Sequence, residues 1–125
     1  MKKIVKTDKA PAAIGPYSQA VIFENIVYCS GQIALAPKTM ELVSHSIEEQ
    51  TKQVMDNIEQ VLLEAGSNFS KVLKCSIFLD NMDDFTAVNE IYGTYFQENP
   101  PARETVEVSS LPKHAKIEIS CIASI

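Results

Sequence analysis

The segment from residue 46 to residue 66 constrains the fold most, because it has the features of one complete amphipathic helix. Ser46 and Glu49 have the spacing at which a serine and a glutamate reciprocally satisfy the free N–H groups of a helix start. Gly66 is placed to end the helix in a left-handed cap. Apolar residues between them recur at helical spacing and form one stripe: Ile47, Val54, Ile58, Val61, Leu62 and Ala65. Such a helix buries its stripe against a second layer of the domain.

Two segments before this helix are typical of β-strands. Residues 17–23 and 26–33 predict two strands joined by a tight hairpin through residues 24–25, and residues 3–5 can add a short further strand. Gly31 interrupts the second of the two longer strands. A glycine at such a position marks either a bulge or a place where another group approaches the backbone closely.

Three strands and a second helix are predicted after residue 70. The strands cover residues 71–80, 103–108 and 116–123. In the first of them, alternation places Leu73, Cys75, Ile77 and Leu79 on one face, and Val72, Lys74, Ser76 and Phe78 on the other. The helix begins near Asn81 or Asp83 and ends before the two prolines at residues 100–101. Its apolar stripe consists of Phe85, Val88, Tyr92, Tyr95 and Phe96.

The order ββαβαββ indicates one α+β domain over residues 1–125, with two helices on one face of a mixed sheet. The uncovered sheet face then carries apolar side chains, which alternation identifies as Val21, Phe23, Val72, Phe78 and Ile122. A face this apolar is too costly to leave in water, so we expect a closed homo-oligomer that buries it. The number of copies does not follow from this argument.

Charge and motif content exclude several functional classes. The net charge is −5 and the pI about 5.0 without any basic run, which disfavours nucleic acid as a partner. The sequence has no nucleophile elbow, phosphate-binding glycine loop or dinucleotide fingerprint, so covalent and cofactor-dependent catalysis are weakly supported. His45 and His114 lack ligand spacing, and we expect no metal.

The cysteines and the apolar runs indicate a compartment. Cys29, Cys75 and Cys121 are widely spaced within apolar strands and form no CxxC pair, which is typical of buried thiols that act as small hydrophobes. The sequence shows neither a signal peptide nor a membrane-spanning apolar run. We therefore expect a cytoplasmic protein.

Arg103 is the residue best suited to recognise a ligand. It is the only arginine among 11 basic residues, and it follows two prolines that stiffen its approach. A guanidinium holds a carboxylate with two parallel hydrogen bonds, which lysine cannot do. We therefore predict that Arg103 binds a small carboxylate; a structural ion pair is the alternative.

Glu118 is the candidate for proton transfer. Alternation places Arg103 and Thr105 on the same face of one predicted strand. In the last strand it places Glu118 and Ser120 on the face opposite the apolar residues. We expect the polar residues of both strands on the sheet face opposite the helices. Glu118 could then take a proton from water or orient it beside a substrate held by Arg103. The alternative is a solvated glutamate paired with a lysine such as Lys116.

Five segments in order resemble the Rid (reactive intermediate deaminase, also called YjgF) family, RidA subgroup, almost from end to end. They are residues 10–20, 30–33, 88–92, 100–103 and 116–119. The resemblance implies a chorismate-mutase-like fold and a homotrimer with sites between subunits. It also implies hydrolysis of 2-imino acids, such as 2-iminopropanoate and 2-iminobutanoate, to 2-oxo acids and ammonia without a cofactor.

The resemblance also assigns residues. It implies that Arg103 grips the substrate carboxylate and that Glu118 handles the attacking water. Further positions that line or support the substrate site are Tyr17, Ser30, Gly31, Asn89 and Thr105. Two positions depart from the family pattern: Thr105 stands where many relatives have a cysteine, and Ser120 where a second glutamate is frequent.

Two other functions compete with the deaminase. The first is a trimer that binds small carboxylates, or acts like a chaperone, without catalysis. The second is a ribonuclease or translation inhibitor, a description attached to some relatives. The acidic pI, the single arginine and the lack of a catalytic histidine pair disfavour the second.

Overall fold

The predicted helices and strands all form in the computed structural model, which describes residues 1–125. The elements, in chain order, are β1 (Lys3–Val5), β2 (Ala20–Phe23), β3 (Ile26–Gln32), α1 (Ile47–Glu64), β4 (Val72–Leu79), α2 (Phe85–Tyr95), β5 (Ala102–Glu107) and β6 (Ile117–Ser124). The predicted α+β order ββαβαββ is confirmed, and the short strand at residues 3–5 adds to it. Neither helix is long and apolar enough to cross a membrane.

The six strands form one mixed sheet in the order β1-β2-β3-β6-β4-β5. All neighbours are antiparallel except β4 and β5, which are parallel and are connected through α2. A parallel pair needs such a crossover, and the helix of the crossover packs on a face of the sheet. Both helices cover the same face, and the hydrophobic core lies between them and the sheet.

Helix α1 forms as its sequence predicts. Every residue of the predicted apolar stripe is buried, and Gly66 follows the helix with a φ of +86°. The Ser46 hydroxyl accepts a hydrogen bond from the Glu49 N–H at 3.2 Å. The return bond from the Glu49 side chain does not form, because the Ser46 N–H donates to the Ser44 hydroxyl at 2.8 Å instead.

The three cysteines lie side by side across the sheet. Cys121 of β6 is the register partner of Cys29 in β3 and of Cys75 in β4. All three are free thiols, buried beneath the helices. Arg103 of β5 continues this row as the partner of Cys75.

A bulge at the start of β4 reverses the predicted faces there. Val72 pairs with Ala123 and Lys74 with Ile122, so Leu73 is an extra residue without a partner. Val72 is consequently 7% exposed on the helix side, whereas Leu73 is 49% exposed. The expectation that Val72 lies on the uncovered face is therefore wrong. That face instead includes Tyr28 and Val106, at 46% and 41% exposure.

Candidate active site

Arg103 is held by helix α2 and has no carboxylate partner. One of its terminal nitrogens, Nη1, donates to Oδ1 of Asn89 at 2.8 Å. The guanidinium carbon lies 5.0 Å from the ring centre of Tyr92 and 5.7 Å from that of Phe85. The only ion pair in the chain joins Lys74 to Glu104. The alternative of a structural ion pair for Arg103 is therefore not observed.

The side chain of Arg103 points toward the helices, not away from them. Its register partner Cys75 is buried on the helix side, and neighbouring residues of a sheet at one register position share a face. Thr105, two residues along β5, lies on the same side. Its hydroxyl oxygen is buried and has no hydrogen-bond partner. Arg103, Thr105 and Asn89 thus form one polar group at the edge of the sheet.

Glu118 lies on the opposite face. Its neighbours along β6, Ile117 and Ile119, are fully buried on the helix side, so Glu118 points to the uncovered face. There it pairs in register with Phe78 of β4. The expectation that Arg103 and Glu118 share the face opposite the helices is therefore correct for Glu118 and wrong for Arg103.

Glu118 faces a cavity of about 390 Å³ that Tyr17 and Gly31 also line. The rest of the wall is largely apolar, from Pro11, Ala12, Ile14, Ile33, Leu35, Met40 and Pro112, with Gln19, Gln32 and Lys113. Glu118 has no ion-pair or hydrogen-bond partner in the chain, and burial raises the pKa of its carboxyl group above the ordinary 4.5. Glu118 is therefore placed to exchange a proton with a molecule in this cavity.

Gly31 has no side chain, and the carboxylate of Glu118 therefore lies against the backbone of β3. A Cβ atom at residue 31 would lie 2.5 Å from Oε2 and 2.7 Å from Cδ of Glu118. The pairing of β3 with β6 also shifts between Cys29 and Gln32. Both possibilities left open by the sequence, a bulge and a close approach, are present at this glycine.

Ser30 does not line the cavity but binds the segment that carries Tyr17. Its hydroxyl donates to the carbonyl of Ser18 at 2.6 Å, and its N–H donates to the carbonyl of Gln19 at 2.9 Å. These bonds fasten the segment that carries Tyr17 to the end of β3. Ser30 therefore has a supporting position, while the Tyr17 side chain is 52% exposed at the cavity.

Gln19 was not singled out by sequence reasoning. Its side chain is buried, and its Oε1 accepts from the Thr7 N–H at 2.7 Å. Its Nε2 donates to the carbonyls of Pro11 and Thr7 at 2.8 and 3.0 Å. Gln19 thereby holds the loop that forms one wall of the cavity. The available signal was a glutamine directly before the apolar run of residues 20–23.

The expected site residues thus fall into two groups on opposite faces of the sheet. Tyr17, Gly31 and Glu118 line the cavity, and Ser30 bonds to the segment that carries Tyr17. Asn89, Arg103 and Thr105 lie together on the helix side. No set of three His, Cys, Asp or Glu side chains is positioned to hold a metal ion.

Comparisons with known proteins place this arrangement in a family. The family described as Endoribonuclease L-PSP matches residues 7–125. The chain is 49% identical over 124 residues to the chloroplastic Reactive Intermediate Deaminase A of Arabidopsis thaliana, covering 99% of this chain and 66% of the plant protein. It is 46% identical over 123 residues to the 2-iminobutanoate/2-iminopropanoate deaminase of Rattus norvegicus, covering 98% and 90% of the two chains.

A solved structure agrees with these sequence matches. A Yersinia pestis protein of the conserved Rid family is 50% identical and superposes with a TM-score of 0.96, and the match covers 100% of both chains. The fold expected from the five sequence segments is therefore confirmed. The chain belongs to the Endoribonuclease L-PSP family, which is the Rid or YjgF family that those segments resemble.

Proposed function

We propose that this protein hydrolyses reactive 2-imino acids, such as 2-iminopropanoate and 2-iminobutanoate, to 2-oxo acids and ammonia. The observation that carries the proposal is the guanidinium of Arg103, which is held by Asn89 and aromatic rings and is not neutralised by any carboxylate of the chain. Relatives close to half identical are called deaminases of this kind. Arg103 is therefore assigned to the substrate carboxylate.

Thr105 completes the carboxylate-binding group in this proposal. A buried hydroxyl without a hydrogen-bond partner is unfavourable, and a ligand that bonds to it removes that cost. Arg103 and Thr105 are two residues apart on the same side of β5. A carboxylate can accept from the guanidinium with both oxygens and also from the threonine hydroxyl.

Glu118 supplies the proton transfers. The protonated Glu118 carboxyl group donates its proton to the imine nitrogen, which makes C2 strongly electrophilic. Water then adds to C2 while the resulting Glu118 carboxylate takes a proton from it, and a neutral tetrahedral carbinolamine forms. Proton transfer from the added hydroxyl to the nitrogen then lets ammonia leave as the C=O bond forms. A carboxyl group with a raised pKa keeps its proton nearer to neutral pH than an ordinary glutamate, which suits it for both giving and taking a proton. These steps need no cofactor.

The complete site lies between two copies of a homotrimer in this proposal. Arg103 and Glu118 are on opposite sheet faces, so a single copy cannot present both to one small molecule. The uncovered face supports assembly, because Phe23, Tyr28 and Val106 expose between 41% and 49% of their surface. A closed ring of copies can bury that face and bring Arg103 of one copy beside Glu118 of the next.

The rest of the proposal concerns the domain organisation, the binding partners and the cellular location. We propose one domain over residues 1–125, a cytoplasmic location, a small-molecule substrate and no nucleic-acid partner. The family description names a ribonuclease, but a net charge of −5 and a single arginine held against α2 do not suit a phosphate backbone. RNA cleavage that survives repurification and disappears in a site variant would contradict this.

The test is an assay in which the imine is generated in the cuvette by threonine dehydratase or an amino-acid oxidase. We expect ammonia and 2-oxo acid to form faster than in buffer alone. The Arg103→Lys variant keeps the charge and loses the paired donors, so we expect normal folding and a loss of about ten- to a hundredfold in kcat/KM. Saturable binding of 2-oxo acids without any acceleration would instead indicate a binding protein.

A further inference from the structure

Three residues of helix α2 contact Arg103 from one helix face. Phe85, Asn89 and Tyr92 are four and three residues apart, which places them in line along α2. Asn89 bonds to Nη1, while the two rings lie within 6 Å of the guanidinium carbon. One face of the helix therefore contacts the guanidinium through three side chains. Asn89 was expected only to line or support the site, and the two aromatic residues were assigned to the apolar stripe of the helix; their contacts with Arg103 were not predicted.

Tyr92 is the more firmly fixed of the two rings. It is 5% exposed, and its ring centre lies 4.8 Å from that of Phe96. Phe96 in turn packs edge-on against Phe69 at 5.5 Å, and Phe69 against Tyr95 at 5.3 Å. This aromatic cluster of Phe69, Tyr92, Tyr95 and Phe96 leaves Tyr92 little freedom to move away from Arg103.

The hydroxyl of Tyr92 does not explain why a tyrosine lies beside Arg103. It is buried beside the thiol of Cys75, which is at best a weak hydrogen-bond partner, and no oxygen or nitrogen atom of the chain bonds to it. The hydroxyl of Tyr92 thus has a neighbour in the chain, and the contact of Tyr92 with Arg103 is made by its ring. The face of an aromatic ring attracts a cation, and the attraction is stronger when water is excluded from the contact.

We propose that Tyr92 is the positioning residue for Arg103: its ring face holds the guanidinium in the orientation that leaves the remaining N–H groups free for a carboxylate. Phe85 assists from 5.7 Å. The consequence for catalysis rests on the proposed function, since it assumes that Arg103 binds the substrate. A guanidinium fixed in advance loses less freedom when the ligand binds, so the ring raises affinity without touching the substrate.

Two variants of Tyr92 distinguish the role of its ring from that of its hydroxyl. Tyr92→Phe keeps the ring and removes the hydroxyl, whereas Tyr92→Leu removes the ring. Phe69→Leu is the matched control, because it weakens the same aromatic cluster without changing a group near Arg103. A purely structural role for Tyr92 predicts that Tyr92→Leu and Phe69→Leu behave alike.

The single arginine makes the contact directly measurable. Protein labelled with ¹³C,¹⁵N-arginine gives the NMR signals of one side chain, Arg103. We expect its guanidinium protons to be shifted upfield of free arginine by the ring currents, equally in wild type, Tyr92→Phe and Phe69→Leu. In Tyr92→Leu they should move toward the free value. A wild-type signal already at the free value would overturn the proposal, even if the leucine variant does not fold.

Kinetics in the imine assay give the functional readout. We expect Tyr92→Phe and Phe69→Leu to keep the wild-type KM, and Tyr92→Leu to raise KM about three- to tenfold with a smaller change in kcat. An unchanged KM in a folded Tyr92→Leu protein would overturn the positioning role. The NMR shifts can behave as expected while neither wild type nor any variant hydrolyses imines. In that case the proposed function fails, and the contact of the Tyr92 ring with Arg103 is still confirmed.

Discussion

Arg103 and Glu118 lie on strands β5 and β6 of one sheet but point to opposite faces of it. Strand β4 separates the two strands, and its own alternation shows the division: Cys75 beside Arg103 is buried, and Phe78 beside Glu118 faces outward. A site that uses both residues must therefore draw them from different copies of the chain. This requirement distinguishes the proposal from one in which each copy works alone.

Mixed assemblies test the requirement. We expect Arg103→Ala and Glu118→Gln proteins each to be nearly inactive, and their mixture, after subunit exchange, to recover about a quarter of wild-type activity. That fraction follows because a working site needs an intact Arg103 from one copy and an intact Glu118 from its neighbour, each present with a chance of about one half. Each variant exchanged with itself is the control. A mixture no more active than its components would contradict a shared site.

Gly31→Ala should impair turnover more than stability. A Cβ at this position overlaps the carboxylate of Glu118, whose flexible side chain can move away while the backbone stays in place. We expect kcat to fall about tenfold or more as Glu118 leaves its position, with thermal unfolding close to wild type. Unchanged turnover would show that the placement of Glu118 does not matter.

Gly93→Ala is the matched control for that substitution. Gly93 lies within α2, and a Cβ there meets nothing within 4 Å. We expect unchanged kinetics and an increase of about 0.5–1 kcal/mol in the free energy of unfolding, because alanine is the better helix former. Urea titration with a common baseline measures the difference.

Thr105→Val should weaken binding while leaving the unliganded protein at least as stable. Valine has nearly the same shape and removes a buried hydroxyl that has no partner. We expect KM to rise about ten- to a hundredfold, the cost of one hydrogen bond to a carboxylate, and the unfolding temperature to stay equal or rise. A lowered unfolding temperature would mean that the hydroxyl serves the fold instead of the ligand.

Glu118→Gln should change how stability depends on pH. Because burial raises the pKa of Glu118 above 4.5, the folded protein binds its proton more tightly than the unfolded chain does. The contribution of Glu118 is therefore fully favourable below pH 4.5 and is lost as the pH rises through the folded pKa. We expect the stability of Glu118→Gln relative to wild type to increase across that window, as measured by unfolding between pH 4 and 7. A constant difference would contradict the raised pKa.

The parts of the fold that sequence alone predicts are those set by local pattern. The α1 stripe and its Gly66 cap depend on neighbours within a few turns, and the structure confirms them. The hairpin between β2 and β3 likewise follows from two turn residues. Alternation within a strand was also correct at most positions of β4.

The sequence could not predict whether the polar residues of each strand lie on the helix side of the sheet or on its uncovered face. The direction of Arg103 is set by the parallel pairing of β5 with β4, which depends on the crossover through α2 and leaves no mark in residues 102–107. At Leu73, a single extra residue reversed the alternation of one strand end. The sequence therefore names the candidate site residues as a prediction, while their division between two faces required the structure.

The row of Cys29, Cys121 and Cys75 has a practical consequence. Burial raises the pKa of Cys75 to about 11, so its reactive thiolate is scarce at neutral pH, and all three sulfurs are shielded by the helix layer. A thiol reagent can reach them only when the helices lift from the sheet. The rate of thiol labelling in native buffer therefore reports how often the domain opens, and the measurement requires neither denaturant nor an engineered cysteine.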